Sequence, residues 1–312
     1  MPPRTHTIAR LARWILIVMM ICVLPLIYFW VRDYSAWYHE RRGELIGITA
    51  ERVGSDSLSD RFWVSLRSSS DLTVRCGLLV PSTPRRRYPA IILLGGKQTG
   101  RYAVDYALDV RDAIIIAPDY PYEPRKSYTT LQFLADVPAL RGALLDMVPS
   151  VMLITEYLWQ REDVDTTKLI LLGYSFGAPF VPAILSVERR PAAVAMVYGG
   201  GDLHSLLRHN LRRSEGWLTS EFVATLGAVL LRPLEPLRYA DKVAPIPLVM
   251  INGDDDELIP RRNVLALYSS AREPKSLLWL PSTHVHPRNV ALTRLIEYTL
   301  RGELLRLGII ER

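Results

Sequence analysis

Ser175 stands between two glycines in Gly173-Tyr174-Ser175-Phe176-Gly177, directly after the apolar run Leu169–Leu172. The stretch fits the G-x-S-x-G pattern of a nucleophile elbow, a tight strand-to-helix turn that lifts the hydroxyl above the chain. Side chains flanking such a turn would collide, which is why glycines sit there. A serine hydroxyl is a poor nucleophile until a base takes its proton. In this pattern an acid and then a histidine follow along the chain. The acid is expected after a late strand, and PLVMINGDDDELIP offers Asp254, Asp255 and Asp256. The spacing from Gly253 and to Pro260 favours Asp256, with Asp255 as the alternative. The histidine is expected after the last strand, where SLLWLPSTHVHPRNV offers His284 and His286. His284 lies closer to the strand end and leaves His286 and Pro287 to start the final helix, so it is preferred. His204 and His209 precede the acid and read as surface or cap histidines, while His6 and His39 flank the N-terminal apolar run.

Such chemistry also needs two backbone N–H groups to hold a developing oxyanion. Phe176, next after the serine, is expected to supply one. The loop GGKQTG after the run Ala90–Leu94 is expected to supply the other, because Gly95 and Gly96 let the backbone approach a substrate. Lys97 is the expected donor, with Gly96 as the alternative. The lysine is misplaced for a phosphate-cradling G-x-x-x-x-G-K-[ST] loop. No metal and no cofactor is implied.

The elements that must position these residues are short apolar runs alternating with helical patterns. FWVSL (Phe62–Leu66) and LTVRCGLLV (Leu72–Val80), split by the turn RSSSD, read as a hairpin. Then come Ala90–Leu94, Ala113–Ala117, Leu169–Leu172, Ala193–Tyr198, Pro247–Ile251 and Ser276–Leu280. Continuous apolar strands of this kind belong to a mostly parallel sheet covered by helices on both faces, an α/β fold. Residues 129–161 read as a long helical region interrupted near Pro149. The last helix is expected over about Arg288 to Leu305, with Val290, Leu292, Leu295, Ile296 and Leu300 on one face. Residues 201–245 break the alternation. They contain the helix-like EGWLTSEFVATLGAVLL and read as a cap-like insertion over the site, with simple packing over the sheet edge as the alternative.

The chain has 312 residues, 49% hydrophobic and 22% charged, enough for one large core. Most of its net charge of +6 sits in residues 1–42, which hold six arginines against Asp33 and Glu40. That is not the basic stripe of a nucleic-acid-binding domain. Cys22 and Cys76 do not suggest a disulfide framework. Trp14–Val31 carries no charge, and its 18 residues at about 1.5 Å each approach the roughly 30 Å hydrocarbon core of a bilayer. Trp14, Tyr28, Phe29 and Trp30 end the run as interfacial aromatics do. No small-x-small cleavage site follows it, so an uncleaved signal anchor is expected, N-terminus in the cytoplasm and the rest on the extracytoplasmic side. The organisation read here is a stub and transmembrane anchor over residues 1–31, a linker over 32–45 and a catalytic domain over 46–312.

Taken together, YPAIILLGG, IIIAPDYPY, DVDTTKLILLGYSFGA, INGDDDELIP and LPSTHVHP resemble the α/β-hydrolase superfamily over roughly residues 60–310, especially its dienelactone-hydrolase-like and peptidase-like bacterial members. The resemblance implies the α/β-hydrolase fold and a serine hydrolase with the triad Ser175, His284 and Asp256. Two positions depart from many members: Gly95 stands where a histidine often precedes the glycine, and Ser282-Thr283 precede His284 where a glycine is common. The expected activity is cleavage of a carboxylic ester or related acyl bond of a small-molecule or lipid substrate at a membrane. Acyl transfer by the same triad and a catalytically silent binding protein are the alternatives.

Overall fold

A computed structural model describes residues 4–83, 85–107, 110, 112–122, 130–286 and 288–311. The first three residues, Pro287 and the Cys22 side chain, which enter the readings above, lie outside the described residues. Nine strands form one sheet: β1 (Leu45–Ser55), β2 (Ser59–Ser68), β3 (Thr73–Pro81), β4 (Tyr88–Leu94), β5 (Ile114–Pro118), β6 (Val164–Tyr174), β7 (Ala193–Val197), β8 (Leu248–Gly253) and β9 (Lys275–Leu280). Their order is β1-β2-β3-β5-β4-β6-β7-β8-β9. The pairs from β5 through β4 and β6 to β9 are parallel, and β1, β2 and β3 join antiparallel at one edge.

The helices are α1 (Arg4–Val31), α2 (Ser35–Arg42), α3 (Thr130–Trp159), α4 (Phe180–Leu185), α5 (Leu203–Leu211), α6 (Trp217–Leu230), α7 (Arg261–Ser270) and α8 (Val290–Arg306). Strand side chains alternate between faces, because the strand repeat is two residues. On one face Ile92, Leu94, Ile116, Leu169, Leu171 and Met250 pack with Met152 of α3, Val181 of α4 and Val264 of α7. On the other face Ile91, Leu93, Ile115, Ile170, Leu172 and Ile251 meet α8 and the short turn Gly100–Tyr106. On α8 the residues Leu292, Ile296, Leu300 and Leu304 are buried, whereas Val290 and Leu295 of the expected apolar face are exposed.

Three segments differ from their sequence reading. The stretch expected as a linker contains α2, whose Tyr38 is buried together with the preceding Tyr34. Four residues apart, the two rings lie on one helical face and anchor it. Arg41 adds a fork to Asp146 of α3 at 3.0 and 2.9 Å and a bond to the Ser70 carbonyl at 2.8 Å. Helix α3 runs unbroken through Pro138 and Pro149. An interior proline costs about 3 kcal/mol, and burial of Met147, Val148, Val151, Met152, Ile154 and Leu158 offsets it. Strand β1 was not expected. It is an edge strand with mostly exposed side chains, Ile46, Ile48 and Val53 among them. The segment Ala135–Trp159 of α3 is long and apolar enough to cross a membrane by composition, but more than half of it is buried in the core, as befits a core helix.

Candidate active site

The elbow forms where β6 ends. Ser175 has φ of 49°, in the left-handed region that costs a non-glycine residue about 1–3 kcal/mol. It opens the single turn Ser175–Gly177, and α4 follows. A Cβ on Gly173 would meet the Ala178 Cα at 2.7 Å, and one on Gly177 would meet the Leu94 carbonyl oxygen at 2.2 Å. Both glycines are therefore required by close backbone approach, and the strand, turn and helix are packed tightly enough to hold the strained serine.

Ser175 Oγ lies 2.7 Å from His284 Nε2, and His284 Nδ1 lies 2.8 Å from Asp256 Oδ2. The acid side chain is 1% exposed and the histidine 10%. A buried carboxylate needs partners. Asp256 Oδ1 finds them in the N–H groups of Leu258 (2.8 Å) and Ile259 (3.0 Å). These bonds fix which oxygen faces the imidazole. The Tyr198 ring stands edge-on to the His284 ring, centroids 5.5 Å apart at 84°. Burial raises the Tyr198 pKa, so the phenol stays neutral, and its hydroxyl bonds the Ser282 hydroxyl.

The neighbouring candidates do other work. Asp254 Oδ1 accepts the Ser282 N–H at 3.1 Å, and the Asp255 N–H donates to the Ser282 carbonyl at 3.2 Å. The acid turn and the histidine turn are thus clasped to each other. His286 Nδ1 accepts the Arg288 N–H at 3.2 Å. His204 pairs with Thr225 and Glu221. His209 Nε2 donates to the Glu257 carbonyl at 2.9 Å, Arg213 donates to the same carbonyl at 3.1 Å, and Asn210 Nδ2 donates to the Leu258 carbonyl at 3.0 Å. The insertion thereby braces the loop that carries Asp256. No sequence signal pointed to this, because the partners lie 44 to 48 residues apart.

At the expected oxyanion loop the Gly95 carbonyl accepts from the Tyr120 hydroxyl. The Gly96 carbonyl accepts the Thr99 N–H at 3.1 Å and the Thr99 hydroxyl at 2.9 Å. In a trans peptide the N–H points opposite to the C=O. The N–H of Gly96 therefore faces away from Tyr120, and that of Lys97 away from Thr99. Lys97 lines one cavity with Ser175 and His284. Phe176 is the middle residue of the turn Ser175–Gly177, and its ring packs edge-on against Tyr120 at 5.0 Å.

That cavity has a volume of about 870 Å³. It extends from Ser175 between the sheet and α8, past Leu93, Leu172 and Leu300. No described residue of the insertion 201–245 lines it. Within the insertion α5 packs on α6, and Trp217, Leu218 and Phe222 are exposed.

No family model matches the chain. Uncharacterized YfhR proteins of Escherichia coli O157:H7 and of Salmonella typhi are 28% and 27% identical to it over 144 and 145 residues. These matches cover 45% and 46% of this chain, and the chain spans about half the length of those relatives (45% and 48%). Among solved structures, acetyl xylan esterase 1 of a Thermoanaerobacterium species superposes with a TM-score of 0.62 at 15% identity, covering 85% of this chain and 92% of that one. An acetyl xylan esterase of a Paenibacillus species gives 0.60 at 16% identity, covering 88% and 93%. A Pyrococcus furiosus esterase gives 0.55 at 16% identity, covering 83% and 98%. With the parallel sheet and its helices, these likenesses show the α/β-hydrolase fold.

Proposed function

We propose that the chain is a membrane-anchored serine hydrolase that cleaves a carboxylic ester or related acyl bond. The observation that carries this reading is the unbroken chain from Ser175 Oγ through His284 to the buried Asp256. Ser175 attacks the acyl carbonyl while His284 Nε2 takes its proton, and His284 then returns that proton to the leaving alcohol. Asp256 holds the ring orientation and stabilises the imidazolium. The N–H groups of Lys97 and Phe176 receive the oxyanion. Water, activated by His284, then hydrolyses the acyl-enzyme. The esterase names of the structural neighbours agree with ester substrates.

A fluorophosphonate probe on the full chain tests this reading. Labelling that disappears in Ser175→Ala is expected. A folded chain that does not label, or labelling that survives the substitution, overturns it.

Helix α1 is the membrane anchor in this reading. Its support is the uncharged run Trp14–Val31 and the exposure of Trp14, Leu16, Met19, Ile21, Leu24 and Ile27. The catalytic domain then lies on the extracytoplasmic side. Resistance of the chain to alkaline extraction from membranes is expected, and its release there overturns the anchor.

A further inference from the structure

The apolar cavity beneath Ser175 carries an inference about the substrate, and this inference rests on the hydrolase reading above. Pockets for small molecules span about 300–1,000 Å³, so the cavity of about 870 Å³ is near the upper end. An acetyl group would fill only its mouth.

The shape is set by two elements that give the same length independently. Along β6 the cavity wall runs from Ser175 back to Ile170. Five residues at about 3.3 Å each make about 17 Å. Along α8 it runs from Thr293 to Leu304, and eleven residues at about 1.5 Å each make about 17 Å. With carbon–carbon bonds of about 1.5 Å in a zigzag, that depth holds roughly a dozen carbons of an extended chain.

The walls are apolar where they are deep. Ile91, Ile115, Ile170, Leu172, Leu300 and Leu304 are all at least nine-tenths buried and line the cavity. Arg288, Arg294, Glu297, Asp112 and Arg301 add charged groups to the lining, and the last two pair with each other across 2.9 Å where both are partly exposed. Lys97 and His286 line the cavity together with Ser175 and His284.

We infer that this cavity is an acyl-chain tunnel, and that the substrate is an ester of a long, unbranched fatty acid of about ten carbons or more. The carbonyl sits at Ser175, and the chain runs down between the sheet and α8. The insertion does not contact it.

The test uses the full chain in one fixed detergent and a series of alkyl fluorophosphonates of rising chain length, with Ser175 labelling followed by intact mass. The labelling rate is expected to rise about two- to fourfold per added methylene up to about ten carbons and then to level off. Leu304→Trp and Ile170→Phe fill the deep end. They are expected to lower the rate with the dodecyl reagent at least tenfold and to leave the ethyl reagent unchanged, which also shows that the variants fold. A flat profile, or plugged variants that still favour the dodecyl reagent, overturns the tunnel while the hydrolase reading stands. If no reagent of any length labels the folded chain, the hydrolase reading falls. The tunnel is then decided by displacement of a fluorescent fatty acid from Ser175→Ala by dodecanoic acid. Displacement that is lost in the Ser175→Ala, Leu304→Trp double variant supports it, and no binding overturns it.

Discussion

The two faces of the sheet are built differently. One carries α3, α4 and α7, and α2 is pinned onto α3 by Arg41 and two buried tyrosines. The other carries α8 and the short turn Gly100–Tyr106. On the first face the strand side chains are buried against these helices. The second leaves a cavity that reaches Ser175. Strands with nearly the same composition on both sides thus border a packed core on one side and a cavity on the other. What differs is the length of helix available to cover each face, not the strands. Leu171 and Leu172 are neighbours on β6 and point to opposite sides of this divide.

If the proposed triad acts, the largest effect is expected at Ser175, His284 and Asp256. Asp256→Asn keeps the shape but takes away the charge that sets the His284 tautomer, and it should lower kcat about 10⁴-fold in an ester assay. A loss below tenfold would mean that the buried acid serves the loop and not the histidine. Next comes the packing contrast. Leu171→Ala should cost about 4 kcal/mol, because it opens a void among close-packed neighbours, and Leu172→Ala about 2 kcal/mol, because its side chain already borders a cavity. Unfolding of both variants measures the gap, and equal costs would break the comparison.

Ion pairs on the two faces sharpen it further. Arg41 is forked to Asp146 with side chains 31% and 17% exposed, and Arg41→Ala should cost about 1–2 kcal/mol. Arg301 and Asp112 are 43% and 44% exposed, so Arg301→Ala should cost less than about 1 kcal/mol in the same measurement. The smallest effect concerns the insertion. Asn210→Ala removes one brace on the Leu258 carbonyl, and kcat should fall about threefold with the chain-length preference unchanged. A changed preference would show that the insertion does shape the substrate space.

Much of the site was readable as pattern. The elbow around Ser175, the acid turn with Asp256 and the histidine turn with His284 each followed a strand end, and the structure brings these three side chains into one hydrogen-bonded chain. The strands from β4 to β9 announced themselves as apolar runs because both their faces are covered. Other parts were silent. Strand β1 is an exposed edge whose apolar alternation runs only over Ile46, Ile48 and Ala50 before Glu51 and Arg52, so it gave little signal. Helix α2 is eight residues long and owes its place to Tyr34 and Tyr38 finding α3, a contact across the fold. The prolines of α3 predicted a break that burial overrode.

The amino-acid sequence by itself determined the reactive residue types, their order and the strands that carry them, because these depend on local turns and on a period of two. Which of Asp254, Asp255 and Asp256 reaches the imidazole was decided only in three dimensions, where Ser282 engages the first two and the N–H groups of Leu258 and Ile259 aim the third. The same holds for the bracing of that loop by His209, Asn210 and Arg213, and for the side of the sheet that holds the cavity. These features arise from contacts between segments far apart in the chain, and their energies depend on burial and approach distances that no local pattern encodes.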